Sequence, residues 1–198
     1  MAVADILMSP AKIYFAVTGT ALPDPNTIGY GTAWAGAWSD LGYTLTPITV
    51  GYSQDLFKLE VEQITLPLKG MITTEEVKIE TTLAEITATN LLLAFGGAVA
   101  TTAATTAQVA LEELKSGGSP AIAYYAWGLE GLYTTAANVS LPVRILIYRG
   151  SAVLNGSLTF SKKEAVGIPL SITAWADTTK AIGAQLWQFQ KTTAVKTP

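Results

Sequence analysis

The side chains here that could do chemistry are carboxylates and amines, because the sequence contains neither histidine nor cysteine. Without them there is no Ser-His-Asp or Cys-His nucleophile system, no zinc site of nitrogen and sulfur ligands, and no disulfide. What remains are paired acids: Glu60 with Glu62, and Glu75 with Glu76. Two carboxylates flanking a scissile bond are the equipment of a glycoside hydrolase. Alternating acids are more commonly the solvated face of a strand, where every second side chain meets water. Other motifs fail on spacing. Gly29-Tyr30-Gly31 is next followed by glycine at Gly36, which matches neither a dinucleotide-binding turn nor a P-loop. Asp24 and Asn26 supply too few oxygens for a calcium loop. No cofactor is implied.

The acids sit on strand patterns. Phe57, Leu59 and Val61 alternate with Lys58, Glu60 and Glu62, and Val77, Ile79, Thr81 and Leu83 alternate with Lys78, Glu80, Thr82 and Ala84. A period of two separates a buried face from a wet one. The apolar parity then moves to Ile64, Leu66 and Leu68, which predicts a β-bulge near Glu62-Gln63. Lys69-Gly70 is the expected turn into a second long strand over residues 72–87. A helix is expected over 90–95, capped by Thr87 or Thr89 and ended by a left-handed Gly96. So short a helix needs a sheet to lie on. Further strands are expected at 12–17, 41–50 with a break at Pro47, 109–114, 121–127, 141–148 and 168–175, with a hairpin at Asn155-Gly156. The Ala/Thr tract 98–108 carries no assignable pattern. The chain therefore reads as one mainly β domain over 1–198 with one short flanking α-helix.

Residues 1–10 read as an extended N-terminal arm and 19–40 as a long loop built on the turn cluster Pro23-Asp24-Pro25-Asn26. That loop carries Tyr30, Trp34 and Trp38, which either fold back onto the domain's own core or anchor a partner.

Only 14% of residues are charged, against about 25% in an average soluble domain, and the mean hydropathy is +0.36. The longest apolar run, 91–100, is interrupted by Gly96-Gly97, whereas a membrane helix needs about 20 apolar residues. Burial between subunits is the expected explanation of the hydropathy, the alternative being a compact β domain rich in Ala and Thr. The N-terminus has no signal-peptide pattern, so synthesis in a cytoplasm is expected. A net charge of −3 is the wrong sign for gripping phosphates, and suits a surface that a polyanion passes.

Trp38-Ser39-Asp40-Leu41-Gly42, Leu59-Glu60-Val61-Glu62-Gln63, Leu83-Ala84-Glu85-Ile86, the 90–95 helix with Gly96-Gly97, and the closing Ile168-Pro169-Leu170-Ser171-Ile172-Thr173-Ala174-Trp175-Ala176-Asp177 follow one another in this order. Together they resemble the major tail tube proteins of long-tailed bacteriophages. The resemblance implies a non-enzymatic virion protein assembled in the host cytoplasm, with a β-sandwich or half-barrel braced by the helix. It implies homohexameric rings that stack into a tail tube, their strands closing an inner β-barrel for DNA ejection. Tape measure, tail terminator and tail tip proteins would be its partners. On that resemblance Lys58, Glu60, Glu62, Lys78 and Glu80 line the lumen, or the lysines pair with glutamates across subunits. Ser9, Pro10, Tyr30, Trp34 and Trp38 would contact the next ring. Two other readings stand beside it: a tail-completion, tail-tip or other virion protein on a related β fold, and a carbohydrate-active β-sandwich module.

Overall fold

A computed structural model describes residues 10–119, 121–135 and 138–194. They form β1 (Lys12–Val17), β2 (Ser39–Asp40), β3 (Thr49–Val61), β4 (Ile64–Leu83), α1 (Ala88–Phe95), β5 (Ala98–Thr102), β6 (Leu111–Lys115), β7 (Tyr125–Thr134), β8 (Ser140–Leu154), β9 (Ile168–Ala174) and β10 (Trp187–Lys191). The main sheet has the order β2-β1-β7-β8-β9-β4-β3, every pair antiparallel, and β10 pairs with the first half of β8. Strands β5 and β6 form a separate hairpin, with most of the Ala/Thr tract as its loop.

Strict alternation places one face of the sheet against the helix. Val77, Ile79 and Leu83 of β4 and Ile168, Leu170 and Ile172 of β9 pack with Ile13, Trp127 and Ile147 beneath Leu93 and Ala94 of α1. Thr87 caps that helix by accepting from the Asn90 N–H at 3.1 Å, and Gly96, at φ 69°, ends it by donating to the Leu92 carbonyl at 2.7 Å. Buried Asn90 donates its side-chain amide to the carbonyls of Leu41 and Glu85, tying α1 to the chain that leads into β3.

The opposite face is covered over β1, β7 and the first half of β8 by residues 19–38, which lie on it as a roof. Trp34 stacks on Tyr14 at 4.3 Å between centroids, and Trp38 meets Trp34 edge-on at 5.0 Å. Beneath the roof, Glu130 and Arg144 are cross-strand partners and both fully buried. Arg144 donates to Glu130 Oε1 from Nε at 3.0 Å and from Nη2 at 2.9 Å, and Nη2 also reaches the Ile28 carbonyl at 2.7 Å. Glu130 in turn accepts from the Gly31 N–H at 3.1 Å and Trp34 Nε1 at 3.3 Å. Burial first, and then the Glu130 charge, push the Tyr14 phenol up to about 12, as a dry site under the roof requires.

Gly128 lies directly below Trp34. A Cβ built on it would run into Cζ3 and Cη2 of that indole, so the roof needs a residue without a side chain there. Gly128→Ala is expected to lift Trp34 and cost about 1–3 kcal/mol as overpacking. The measurement is the denaturant midpoint, with the slope of the transition unchanged.

Four expectations from the sequence are corrected. Glu62-Gln63 is the hairpin turn itself, since Val61 pairs with Ile64; the parity change marks the chain reversing, and Lys69-Gly70 lies inside β4, opposite Leu59 and Lys58. The bulge sits instead between Asp55 and Leu56, and a second irregularity follows Leu59, where Pro67 has no N–H to give the ladder. Asn155-Gly156 opens a long connection, 155–167, instead of closing a tight hairpin. Trp34 and Trp38 are buried in the subunit's own second core: Trp34 stacks on Tyr14 and covers Arg144, and Trp38 packs edge-on against Trp34 and donates its indole N–H to the Ala21 carbonyl. Ser9 and the rest of the arm before Pro10 lie outside the described residues.

Candidate functional site: a projecting hairpin and a polar sheet face

Only the base of the β3–β4 hairpin belongs to the sheet. Strand β4 pairs with β9 from Lys78 to Leu83, and before that its partner is β3. Every residue of β3 except Val61, and every residue of β4 before Val77, is exposed. From Ser53 to the turn the arm extends about 30 Å at the usual rise of a strand. Its sequence is nevertheless that of a buried one: Leu56, Phe57, Leu59, Ile64, Leu66, Leu68, Met71 and Ile72 all face solvent, Leu66 at 70% and Met71 at 61% exposure. Monomers rarely leave so continuous an apolar surface uncovered, and such a patch marks an interaction site.

The arm is stiffened where it leaves the body. Tyr52 donates to Glu75 Oε1 at 2.9 Å and Gln54 Nε2 to the same oxygen at 3.0 Å, while Gln54 also touches the Tyr52 hydroxyl. On the other face, Thr74 donates to Asp55 Oδ2 at 2.7 Å and the Thr73 hydroxyl to the Asp55 carbonyl at 3.1 Å. The acid pairs do not meet across a cleft. Glu75 pairs with Gln54 and Glu76 with Ser53, so the two project from opposite faces of β4, and Glu60 and Glu62 stand near the tip.

A second feature lies on the part of the sheet beyond the roof, opposite the helix, where Lys78 and Glu80 are half-exposed but Ser151 and Ser171 are buried, Ser151 accepting from the Trp175 indole N–H at 2.8 Å. Register places Thr49 and Gly51 beside Glu80 and Lys78, these beside Ser171 and Thr173, and those beside Val153 and Ser151. The side chains are small and mostly hydroxylated. Lys78 Nζ lies 2.7 Å from Glu80 Oε1, which also accepts from Asn155 Nδ2 at 3.1 Å. The Glu80 carboxylate raises the Lys78 pKa above its ordinary value.

Of the lumen candidates, Lys78 and Glu80 share this face, whereas Lys58, Glu60 and Glu62 are out on the arm. Of the ring-contact candidates, Pro10 and Tyr30 line one pocket of about 420 Å³ with Lys12 and Asp40, which pair at 3.2 Å. The sequence reading missed the hydroxyls of β8 and β9, although Ser171 and Thr173 alternate with Leu170 and Ile172. It also missed Glu130 and Arg144, for which no local signal exists. Among the described residues no cluster of three or more acids could hold a metal, and no helix is long and apolar enough to cross a membrane.

A family model described as phage tail tube protein matches residues 4–196. The chain belongs to the phage tail tube protein family. Among curated proteins no relative matches it. As a tail tube protein it is a structural component of the virion's tail and not an enzyme, and its family implies oligomeric assembly.

Proposed function

We propose that this tail tube protein forms hexameric rings that stack into a hollow tube, through which the genome leaves the virion. The observation that carries the reading is the arm, strand-like and apolar on both faces, which a lone subunit cannot bury. Closing the sheets of neighbouring subunits into one barrel would also remove the open edge at β3. The polar face bearing Lys78 and Glu80 is the proposed lumen wall. Its lysine is neutralised by Glu80, and the hydroxyls around it give a polyanion no charge to hold. Lys58, Glu60 and Glu62 are proposed to pair between subunits along the arm. Ser9, Pro10 and Tyr30 are the proposed contacts with the next ring, and Trp34 and Trp38 set the shape of the loop that presents Tyr30. Tape measure, terminator and tip proteins would occupy the lumen and close its ends.

Electron microscopy of the purified protein tests the assembly: uniform tubes with sixfold end views support it, and rings that never stack favour a tail-completion or tail-tip protein. The lumen assignment has its own test. Tubes of a Thr49→Lys/Thr173→Lys variant are expected to retain duplex DNA at low salt and release it as salt rises, each added phosphate contact steepening the log–log salt dependence by about 0.9. Equal retention by the wild type and the variant would remove that face from the lumen.

A further inference from the structure

Asn155 begins the long connection 155–167, and its surroundings differ from those of the chain's other asparagines, Asn26, Asn90 and Asn138. Gly156 follows it, exposed and at φ 136°. The Gly156 N–H has no acceptor among the described residues. At the other asparagines the following amide is held. The Thr27 N–H donates to the Asp24 carbonyl at 3.2 Å, the Leu91 N–H to the Thr87 carbonyl at 3.0 Å at the start of α1, and the Val139 N–H to Thr135 Oγ1 at 3.2 Å. Thr27 and Val139 are also β-branched, and Asn90 is buried with its side-chain amide on two carbonyls. Asn155 itself is anchored by its own N–H on the Pro169 carbonyl at 2.9 Å and by Nδ2 on Glu80 Oε1 at 3.1 Å. Neither bond ties down the Gly156 nitrogen.

We propose that Asn155 is a site of self-modification, converting to aspartate and isoaspartate in the folded protein. The Gly156 nitrogen gives its proton to hydroxide and attacks Asn155 Cγ. The Cγ–Nδ2 bond breaks, and Nδ2 takes a proton from water and leaves as ammonia. Water then opens the five-membered imide at one of its two carbonyls, and nothing is oxidised or reduced. Glycine favours the ring because it has no Cβ to crowd the attack and a backbone free to rotate into it. The product changes the polar face of the sheet. Nδ2 is the donor to Glu80 Oε1, which lies 2.7 Å from Lys78 Nζ. A carboxylate in its place sets Lys78 between two acids and adds one negative charge to a chain of net charge −3. Opening to isoaspartate also adds a carbon to the main chain where the connection leaves β8. That face therefore grows more acidic with age, whether or not it lines a lumen.

The test ages the full-length protein at mildly acidic and mildly alkaline pH in heavy-oxygen water and follows each asparagine by peptide mass spectrometry. Asn155 is expected to convert at least about tenfold faster than Asn26, Asn90 or Asn138, because only its follower is a glycine. Each converted peptide should carry one heavy oxygen, and the rate should rise with pH as hydroxide takes the Gly156 proton. Fragmentation should find both aspartate and isoaspartate in place of Asn155. On isoelectric focusing the aged wild type should move to the position of Asn155→Asp, while aged Asn155→Gln stays where it began. Faster conversion of Asn26 or Asn138 would overturn the assignment. So would a rate at Asn155 more than about tenfold below that in denaturant, since the fold would then be shielding the site. Loss of ammonia without uptake of oxygen, in a peptide joined to Lys78, would mean that the neighbouring amine took the carbonyl, and would sink it too.

Discussion

Glu130→Ala is expected to destabilise the subunit by about 3–5 kcal/mol, the range for removing one partner of a buried ion pair. The carboxylate has four contacts to lose: two nitrogens of Arg144, the Gly31 N–H and the Trp34 indole N–H. Once it is gone, a guanidinium that is 1% exposed keeps only the Ile28 carbonyl as an acceptor among the described residues, and its Nη1 has none there even in the wild type. An uncompensated charge in that position will draw water under the roof and release residues 19–38. Against a total stability of about 5–15 kcal/mol the loss is large, and for a chain of this length it corresponds to about 6–20 °C in melting temperature. Exchanging both residues, Glu130→Leu with Arg144→Met, should cost less than the single change, because no charge is then stranded. Thermal melts of the three proteins decide the matter; a single variant that melts with the wild type would show that the pair does not hold the roof.

The second large effect falls on assembly and leaves the subunit intact. Replacing residues 56–73 by Asn-Gly joins Asp55 directly to Thr74, which are already cross-strand partners, through a two-residue turn suited to a hairpin. The shortened hairpin keeps every contact of β4 with β9 and every buried residue of the core, since exposure ends only at Val77. Its denaturant midpoint should therefore lie close to that of the wild type, with solubility improved by removing eight exposed large apolar side chains. Tube formation should be abolished at any accessible concentration. A truncated subunit that still polymerised would show that the arm is not what joins the copies.

Much of the architecture could be read from local pattern. The Thr87 cap, the leucine-rich turn and Gly96 place α1 to within two residues, because a capping hydroxyl and a left-handed glycine act through neighbours in the chain. Period-two alternation located most of the strands, and the absence of His and Cys removed whole classes of catalysis. Where the reading went wrong, the deciding partner was distant. A parity change at Glu62-Gln63 is the same string of letters whether a strand bulges or reverses, and only the pairing of Val61 with Ile64 distinguishes them. Strand β7 was expected to stop at Trp127, yet it runs on through Gly128-Leu129-Glu130-Gly131 to Thr134. Those glycines and that acid look like a loop until Trp34 and Arg144 are placed against them.

The sequence by itself determined a mainly β chain without His or Cys, too apolar for its charge and carrying a recognisable order of strands and helix, because composition, alternation and caps are properties of adjacent residues. Tertiary structure alone decided which apolar strands are core and which are left exposed. Leu170 and Leu66 sit in equally good strand patterns, but the first is 1% and the second 70% exposed. Burial depends on what the rest of the chain lays across a strand, and across the arm it lays nothing.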